Sequence, residues 1–281
     1  MATEVLKELS IVYDNARTYL AAHTLGLHES ALGYDMIMRL YMDGSKSGYA
    51  TLNDAAKAEL FPSETARPHQ LDVKFASYAQ FDRADNSVAF SVSGEELHRA
   101  SGLGTSATHV DESFTGATID GMTKTTEMRF TLHSNSTVCA VCVISADLIL
   151  HFWQYACAAN AAGNGIANAA VSNAAPYQGE SVTFTATVKP GATWHGWYSD
   201  AACTQLVSTS QSYTTAAADL TLYAKATREV TGTGAYARAG GQWAEAQDVY
   251  KKINGEWVLQ TDNSYKTEMQ NGNYKFEEVS E

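Results

Sequence analysis

Over residues 4–42 the apolar positions Val5, Leu6, Leu9, Val12, Tyr13, Ala16, Tyr19 and Leu20 recur at steps of three and four, the spacing that lines one face of a helix. A break near Gly26 precedes a second apolar group, Tyr34, Met36, Ile37, Met38, Leu40, Tyr41 and Met42, which ends at an Asp43-Gly44 turn signal. A short helix from Leu52 to Leu60, capped by Asn53 or Asp54, completes a helical stretch expected over residues 4–60. From about residue 69 the period changes to two. Leu71, Val73 and Phe75, then Tyr78 to Phe81, alternate with polar residues; Asp82-Arg83-Ala84-Asp85-Asn86 reads as a turn, and Val88, Phe90 and Val92 resume on one face, so a β-hairpin is predicted. Met128, Phe130 and Leu132 line a further strand, and His133-Ser134-Asn135-Ser136 turns the chain into Thr137 to Ser145. Four or more strands with one buried face predict an antiparallel sandwich over 69–150.

Residues 156–175 hold ten alanines in twenty positions, with Gly163 and Gly165 and asparagine at 160, 164, 168 and 173. This small-residue run reads as a helical start followed by a linker and places a domain boundary near 163. Beyond it Val182, Phe184 and Ala186 alternate with Thr183, Thr185 and Thr187, and Lys189-Pro190-Gly191 turns the chain. Trp194-His195-Gly196-Trp197-Tyr198 follows, and Leu220-Thr221-Leu222-Tyr223-Ala224-Lys225 closes the module with another alternating strand. A core drawn from so few residues depends on large side chains, and two tryptophans three apart supply them. In the tail, Gly241-Gln242-Trp243 recurs as Gly255-Glu256-Trp257. Asn254-Gly255 is the strongest hairpin signal in the chain, joining Val249 to Ile253 with Glu256 to Leu259.

The string Gly196-Trp197-Tyr198-Ser199-Asp200-Ala201-Ala202-Cys203-Thr204, followed by Asp219 to Lys225, resembles the internalin B-repeat-like modules of bacterial surface proteins. The lead-in Gly179 to Val188 is similar to the first strands of bacterial immunoglobulin-like domains. The resemblance spans about 164–228 and implies a small all-β spacer or contact module without catalytic residues. The stretch Val249 to Gln260 resembles the short YKK-NG-WV hairpin found near the ends of many phage tail and other virion proteins. The expected architecture is therefore mainly β. An N-terminal α+β domain with an antiparallel sandwich spans 1–162, an Ig-like or β-grasp-like module 163–228, and a small C-terminal β-hairpin domain 229–281.

Charge narrows the partners. The net charge is −12, divided as −8 over residues 1–159, zero over 160–228 and −4 over 229–281. No segment is basic, so a surface that repels phosphate argues against nucleic acid. The most apolar segment, Thr137 to Ala159, carries Asp147, His151 and Gln154 and reads as core, so no membrane span is expected. Met1 to Glu8 lacks the pattern of an export signal, which points to synthesis in a bacterial host cytoplasm and residence in a virion. Cys139 and Cys142 have C-x-x-C spacing, but in a strand their thiols diverge and no second ligand pair completes a zinc site. The cysteines are expected as buried thiols, with no metal or other cofactor.

Carboxylate pairs Asp82/Asp85, Glu95/Glu96 and Asp111/Glu112 fall in turns or polar loops and read as solvated surface; His98 and His109 flank a Ser/Gly-rich loop and are close enough in sequence to meet. No nucleophile-elbow, phosphate-loop or zinc-protease string occurs, so no catalytic residue is expected. The aromatics Trp194, Trp197, Tyr198, Trp243 and Trp257 are candidates for core packing or for contact, with Trp194 the first choice for a carbohydrate-stacking surface. The leading expectation is a non-enzymatic virion structural protein (capsid decoration, head fibre, neck or tail component), partnered by other virion proteins and by copies of itself in a symmetric oligomer. The alternative is a receptor- or carbohydrate-binding tail protein that contacts host surface glycans.

Overall fold

A computed structural model describes residues 1–31, 33–40, 47–81, 85–135 and 140–228, and beyond these the backbone of six strands between 236 and 278. The chain divides into two compact units. The first comprises Met1–Cys157, Asn173–Val182 and Thr215–Asp219; the second comprises Ala158–Ser172, Thr183–Thr214 and Leu220–Glu281.

In the first unit the elements run β1 (Thr3–Ile11), α1 (Ala16–Tyr19), β2 (Leu20–His23), β3 (Gly26–Ala31), β4 (Tyr34–Leu40), β5 (Ser47–Leu52), α2 (Asp54–Leu60), β6 (Pro68–Ala79), β7 (Ser87–Val92), β8 (Glu95–Ser101), β9 (Thr108–Thr115), α3 (Ala117–Asp120), β10 (Met128–His133) and β11 (Val141–Gln154). They form two antiparallel sheets. One has the order β3-β4-β11-β6-β9, with β1 also paired to β11; the other has the order β2-β5-β10-β7-β8. Alternation along β11 sends Ala146, Leu148, Leu150 and Phe152 inward, all fully buried. They meet Val88, Phe90, Met128, Phe130 and Leu132 from the second sheet in one core. Its centre is aromatic, with Phe130 edge-on to Phe75 at 5.9 Å and tilted against Phe90 at 4.9 Å.

The helix expected over residues 4–42 is not there. Among the described residues up to Leu40, the chain instead forms strands β1 to β4, with a 3-10 turn (Tyr13–Asn15) and one short helix, α1, between β1 and β2. The reason is tertiary. Nine consecutive residues of β1 pair with β11, from Thr3 opposite Gln154 to Ile11 opposite Ala146, so the inward row is Val5, Lys7, Leu9 and Ile11 while Leu6 stands outside at 45% exposure. Pairing and burial override a spacing that fits a helix equally well. Helix α2 does form, and the Asn53 side chain caps it by accepting from the Ala55 and Ala56 amides at 3.0 and 3.2 Å. The hairpin expected over 69–92 is likewise corrected. Both strands exist, but β6 lies between β11 and β9 while β7 lies between β10 and β8, so they face each other across the core.

The second unit contains β12 (Cys157–Ala162), β13 (Ile166–Val171), β14 (Ser181–Val188), β15 (Ala192–Tyr198), β16 (Leu206–Ser208), β17 (Ser212–Ala216) and β18 (Leu220–Arg228), some of whose ends belong to the first. The sheets are β12-β18-β15-β16 and β13-β14-β17. The alanine-rich run, expected as helix and linker, is strand on either side of Gly163. Trp197 is fully buried and edge-on to Phe184 at 5.7 Å, with Leu222, Ala224 and Ala226 also buried. Gly196, at φ +138°, lets β15 pass close to β16: a Cβ there would lie 2.5 Å from Leu206 Cδ1 and 2.7 Å from the Ser208 carbonyl oxygen. The Asp200 carboxylate closes the following turn, accepting from the Thr204 amide at 3.0 Å, the Gln205 amide at 2.7 Å and the Thr204 hydroxyl at 2.9 Å. Beyond residue 228 the backbone forms three hairpins: β19 (Tyr236–Ala239) with β20 (Gln242–Glu245), β21 (Tyr250–Ile253) with β22 (Glu256–Leu259), and β23 (Tyr265–Gln270) with β24 (Asn273–Glu278).

Two tests follow from these cores. Phe130→Ala removes the ring that Phe75 and Phe90 both contact, and chemical denaturation is expected to show a loss of about 3–5 kcal/mol. The Gln205 amide, then the Thr204 amide and hydroxyl, hold the Asp200 carboxyl below its ordinary range against a smaller opposing effect of burial. Its stabilising contribution is therefore complete above the unfolded value, about 3.9, and lost as pH falls through the lower folded value. The Asp200→Asn variant should be less stable than wild type at neutral pH, and the gap should narrow in acid. Unfolding followed by tryptophan fluorescence at several pH values measures both.

Candidate functional site

Neighbouring strands β1, β11, β6 and β9 turn their other face outward, and the register decides which polar side chains meet there. Ser10 pairs with Asp147, Glu8 with Ile149, Asp72 with both Ile149 and Ser113, and Lys74 with both Asp147 and Asp111. Together these residues line an open groove of about 670 Å³, whose outward-facing side chains include four carboxylates (Glu8, Asp72, Asp111 and Asp147) against one lysine, Lys74. Ser10 donates its hydroxyl to Asp147 Oδ1 at 2.6 Å, and Lys74 lies 3.7 Å from Asp111.

At one end of this face a bulge adds a residue to β6. His151 pairs with Gln70 but Phe152 pairs with Pro68, so His69 is the extra residue. Its ring stacks on Trp153 at 4.4 Å, with 10° between the planes. His69 Nε2 lies 3.0 Å from Glu4 Oε1, and His151 Nδ1 lies 3.3 Å from the same oxygen. The other ring nitrogen of His151 lies 2.9 Å from Asp72 Oδ2. Burial works against ionisation of Asp72, yet hydrogen bonds from Gln70, Ser113 and His151 together outweigh it and hold the carboxyl below its ordinary range. A general acid at neutral pH needs a shift in the other direction. Burial pushes the Cys203 thiol up, which disfavours the thiolate form that a nucleophile uses.

The residues singled out from sequence lie elsewhere. Trp197 is core. Trp194 is half-buried, edge-on to Trp197 at 6.0 Å, and donates its indole N–H to the Thr209 carbonyl at 2.7 Å. Half-buried Tyr198 has Lys225 Nζ 5.5 Å from its ring centre. Trp243 and Trp257 stand on β20 and β22, and their side chains lie outside the described residues. Cys139 and Asp82 also lie outside them, while Cys142 is buried beside Met36 and Tyr78. Asp85 accepts from the Asn135 amide at 2.9 Å, and Glu96 pairs with Arg99. His98 lies 3.3 Å from Glu112 and does not reach His109, which stands exposed on β9 opposite Ala76. Asp111 is exposed, as expected, and borders the groove beside Lys74. The sequence reading missed Glu4, His69, Asp72 and His151, which no local motif links; only the strand register brings them together. Among the described residues no helix is long and apolar enough to cross a membrane.

Residues 160–225 match the Listeria-Bacteroides repeat domain family. The match covers the module and less than half of the chain. No curated protein matches the chain in sequence. Among solved structures the chain is similar to the CBM22-1 xylan-binding domain from Paenibacillus barcinonensis, at 8% identity, covering 53% of this chain and 97% of that one with a TM-score of 0.35. It is similar to a family 35 carbohydrate-binding module from Clostridium thermocellum at 13% identity, with coverage of 52% and 98% and a TM-score of 0.30. It is also similar to a carbohydrate-binding module CBM36 in complex with calcium and xylotriose, at 14% identity, with coverage of 53% and 98% and a TM-score of 0.30. These likenesses are remote and fix no ligand for this chain.

Proposed function

We propose that the chain is a non-catalytic binding protein whose first unit takes a neutral saccharide chain in the acidic groove. The lining of that groove carries the reading. Carboxylates and hydroxyls fixed on adjacent strands present rows of acceptors and donors at strand spacing, which suits the hydroxyls of a sugar chain. Their excess negative charge repels phosphates, sulfates and uronic acids. Built on strands and not on loops, these groups are held in place before a ligand arrives, which lowers the cost of binding.

A second reading is supported by the tail. In β21 and β22 the antiparallel register runs from Tyr250 opposite Leu259 to Ile253 opposite Glu256, on the sequence that resembles the virion YKK-NG-WV element. On this reading the protein is carried on a phage particle as a decoration, fibre, neck or tail component and assembles with copies of itself. Strands such as β3, β8 and β9, which stand at sheet edges among the described residues, offer backbone for that assembly.

A glycan array probed with the whole chain should show binding to neutral oligosaccharides. Asp111→Ala and Asp147→Ala should each weaken it at least about tenfold, the loss of one charge-assisted hydrogen bond, while Trp194→Ala leaves it unchanged. Binding that survives both groove substitutions and disappears with Trp194→Ala would move the site to the repeat module. Light scattering coupled to size exclusion should give a mass several times that of one chain, and a stable monomer at high concentration would sink the assembly reading.

A further inference from the structure

We infer that Glu4, His69 and His151 form a binding site for a divalent transition-metal ion, zinc being the best fit, independent of whether the groove binds a saccharide. The three candidate ligand atoms, Glu4 Oε1, His69 Nε2 and His151 Nδ1, lie within 4.8 Å of one another. Glu4 Oε1 is 3.0 and 3.3 Å from the two nitrogens. Those separations are close to the edge of a coordination tetrahedron, about 3.4 Å for bonds near 2.05 Å.

The protons carry the argument further. A neutral imidazole has one N–H. At 2.9 Å from Asp72 Oδ2, His151 Nε2 holds that proton, so Nδ1 turns a lone pair toward a Glu4 oxygen. Two acceptors face each other unless a cation stands between them. A metal ion there takes the lone pairs of both, and Asp72 becomes the carboxylate that fixes the tautomer and orientation of a ligating histidine. The stack on Trp153 holds the plane of His69. Glu4 is 44% exposed, so the ion has a path from solvent and keeps a coordination position open to it. One feature works against tight binding. His69 Nδ1 is buried with no partner among the described residues, and ligation through Nε2 moves the His69 proton onto that nitrogen. The site is therefore expected to be weaker than one in which both histidines are backed by acceptors.

Calorimetric titration of the full chain with Zn²⁺ at neutral pH is expected to show one saturable site. His69→Gln and His151→Gln should abolish it, and Glu4→Gln, at an exposed strand position whose change leaves the sandwich core intact, should weaken it strongly. Asp72→Asn, acting through His151, should cost about 10–100-fold in affinity. Co²⁺ should give visible absorption with the same dependence on all four residues, and His23→Gln should change nothing. Saturable binding retained in the His69→Gln/His151→Gln double variant would overturn the assignment, as would the absence of saturable binding to the wild type.

Discussion

The first unit depends on the pairing of β11. Fourteen residues long, this strand pairs with β1 along one edge and with β6 along the other, and its first residues also pair with β4. Its inward row fills one side of the core, and its outward row, Asp147, Ile149, His151 and Trp153, supplies one wall of the polar groove and the centre of the histidine cluster. One register thus sets both burial and chemistry. A slip of one residue would turn Asp147 and His151 toward Phe130 and Phe90 and expose Leu148 and Leu150, so the groove is specified as strongly as the core.

How much of this the sequence disclosed depends on how local each feature is. Strand β10 was legible because Met128, Phe130 and Leu132 alternate without ambiguity, and α2 because Asn53 stands just before a run that favours helix. The repeat module was not legible in β12 and β13, whose alanine-rich sequence reads as helix and linker, but it was from Val182 onward, where single strands alternate and the turns are local. The Lys189-Pro190-Gly191 turn, for instance, closes with the Ala192 amide on the Lys189 carbonyl at 3.1 Å. Strand β1 was hidden because its partner lies some 140 residues away, and spacing alone cannot say that Leu6 faces solvent. The separation of β6 and β7 was hidden because neighbours in sequence that alternate look alike whether they pair or face each other across a core. The cluster was the least legible part: Glu4, His69 and His151 come from three strands and share no motif.

The resemblance read from Gly196 to Thr204 has a physical basis. Gly196 is required by the approach of β16, Trp197 fills the core, and Asp200 gathers the turn that ends with Cys203 at φ +53° and Thr204. Gly196, Trp197 and Asp200 each answer a backbone or packing need. Needs that fall within one short stretch leave a recognisable string, whereas the polar face of the sandwich is assembled from distant strands and leaves none.

The bulge in β6 joins these two themes. Without the extra residue, alternation from inward Leu71 through outward Gln70 would turn residue 69 back into the core. The shift between His151 and Phe152 instead leaves His69 and Gln70 both outward, one against Glu4 and Trp153, the other against Asp72 and His151, and returns buried Pro68 to the inner face. Pro68 begins the strand, where the lack of an amide proton costs the ladder least. A bulge gives up a place in that ladder. Here it aims an imidazole at a carboxylate that already faces another imidazole, at the end of the strand farthest from the apolar cluster of Met36, Tyr78, Ala140 and Cys142. The bulge therefore serves both faces at once: it returns Pro68 to the core and sets His69 beside Glu4 and Trp153.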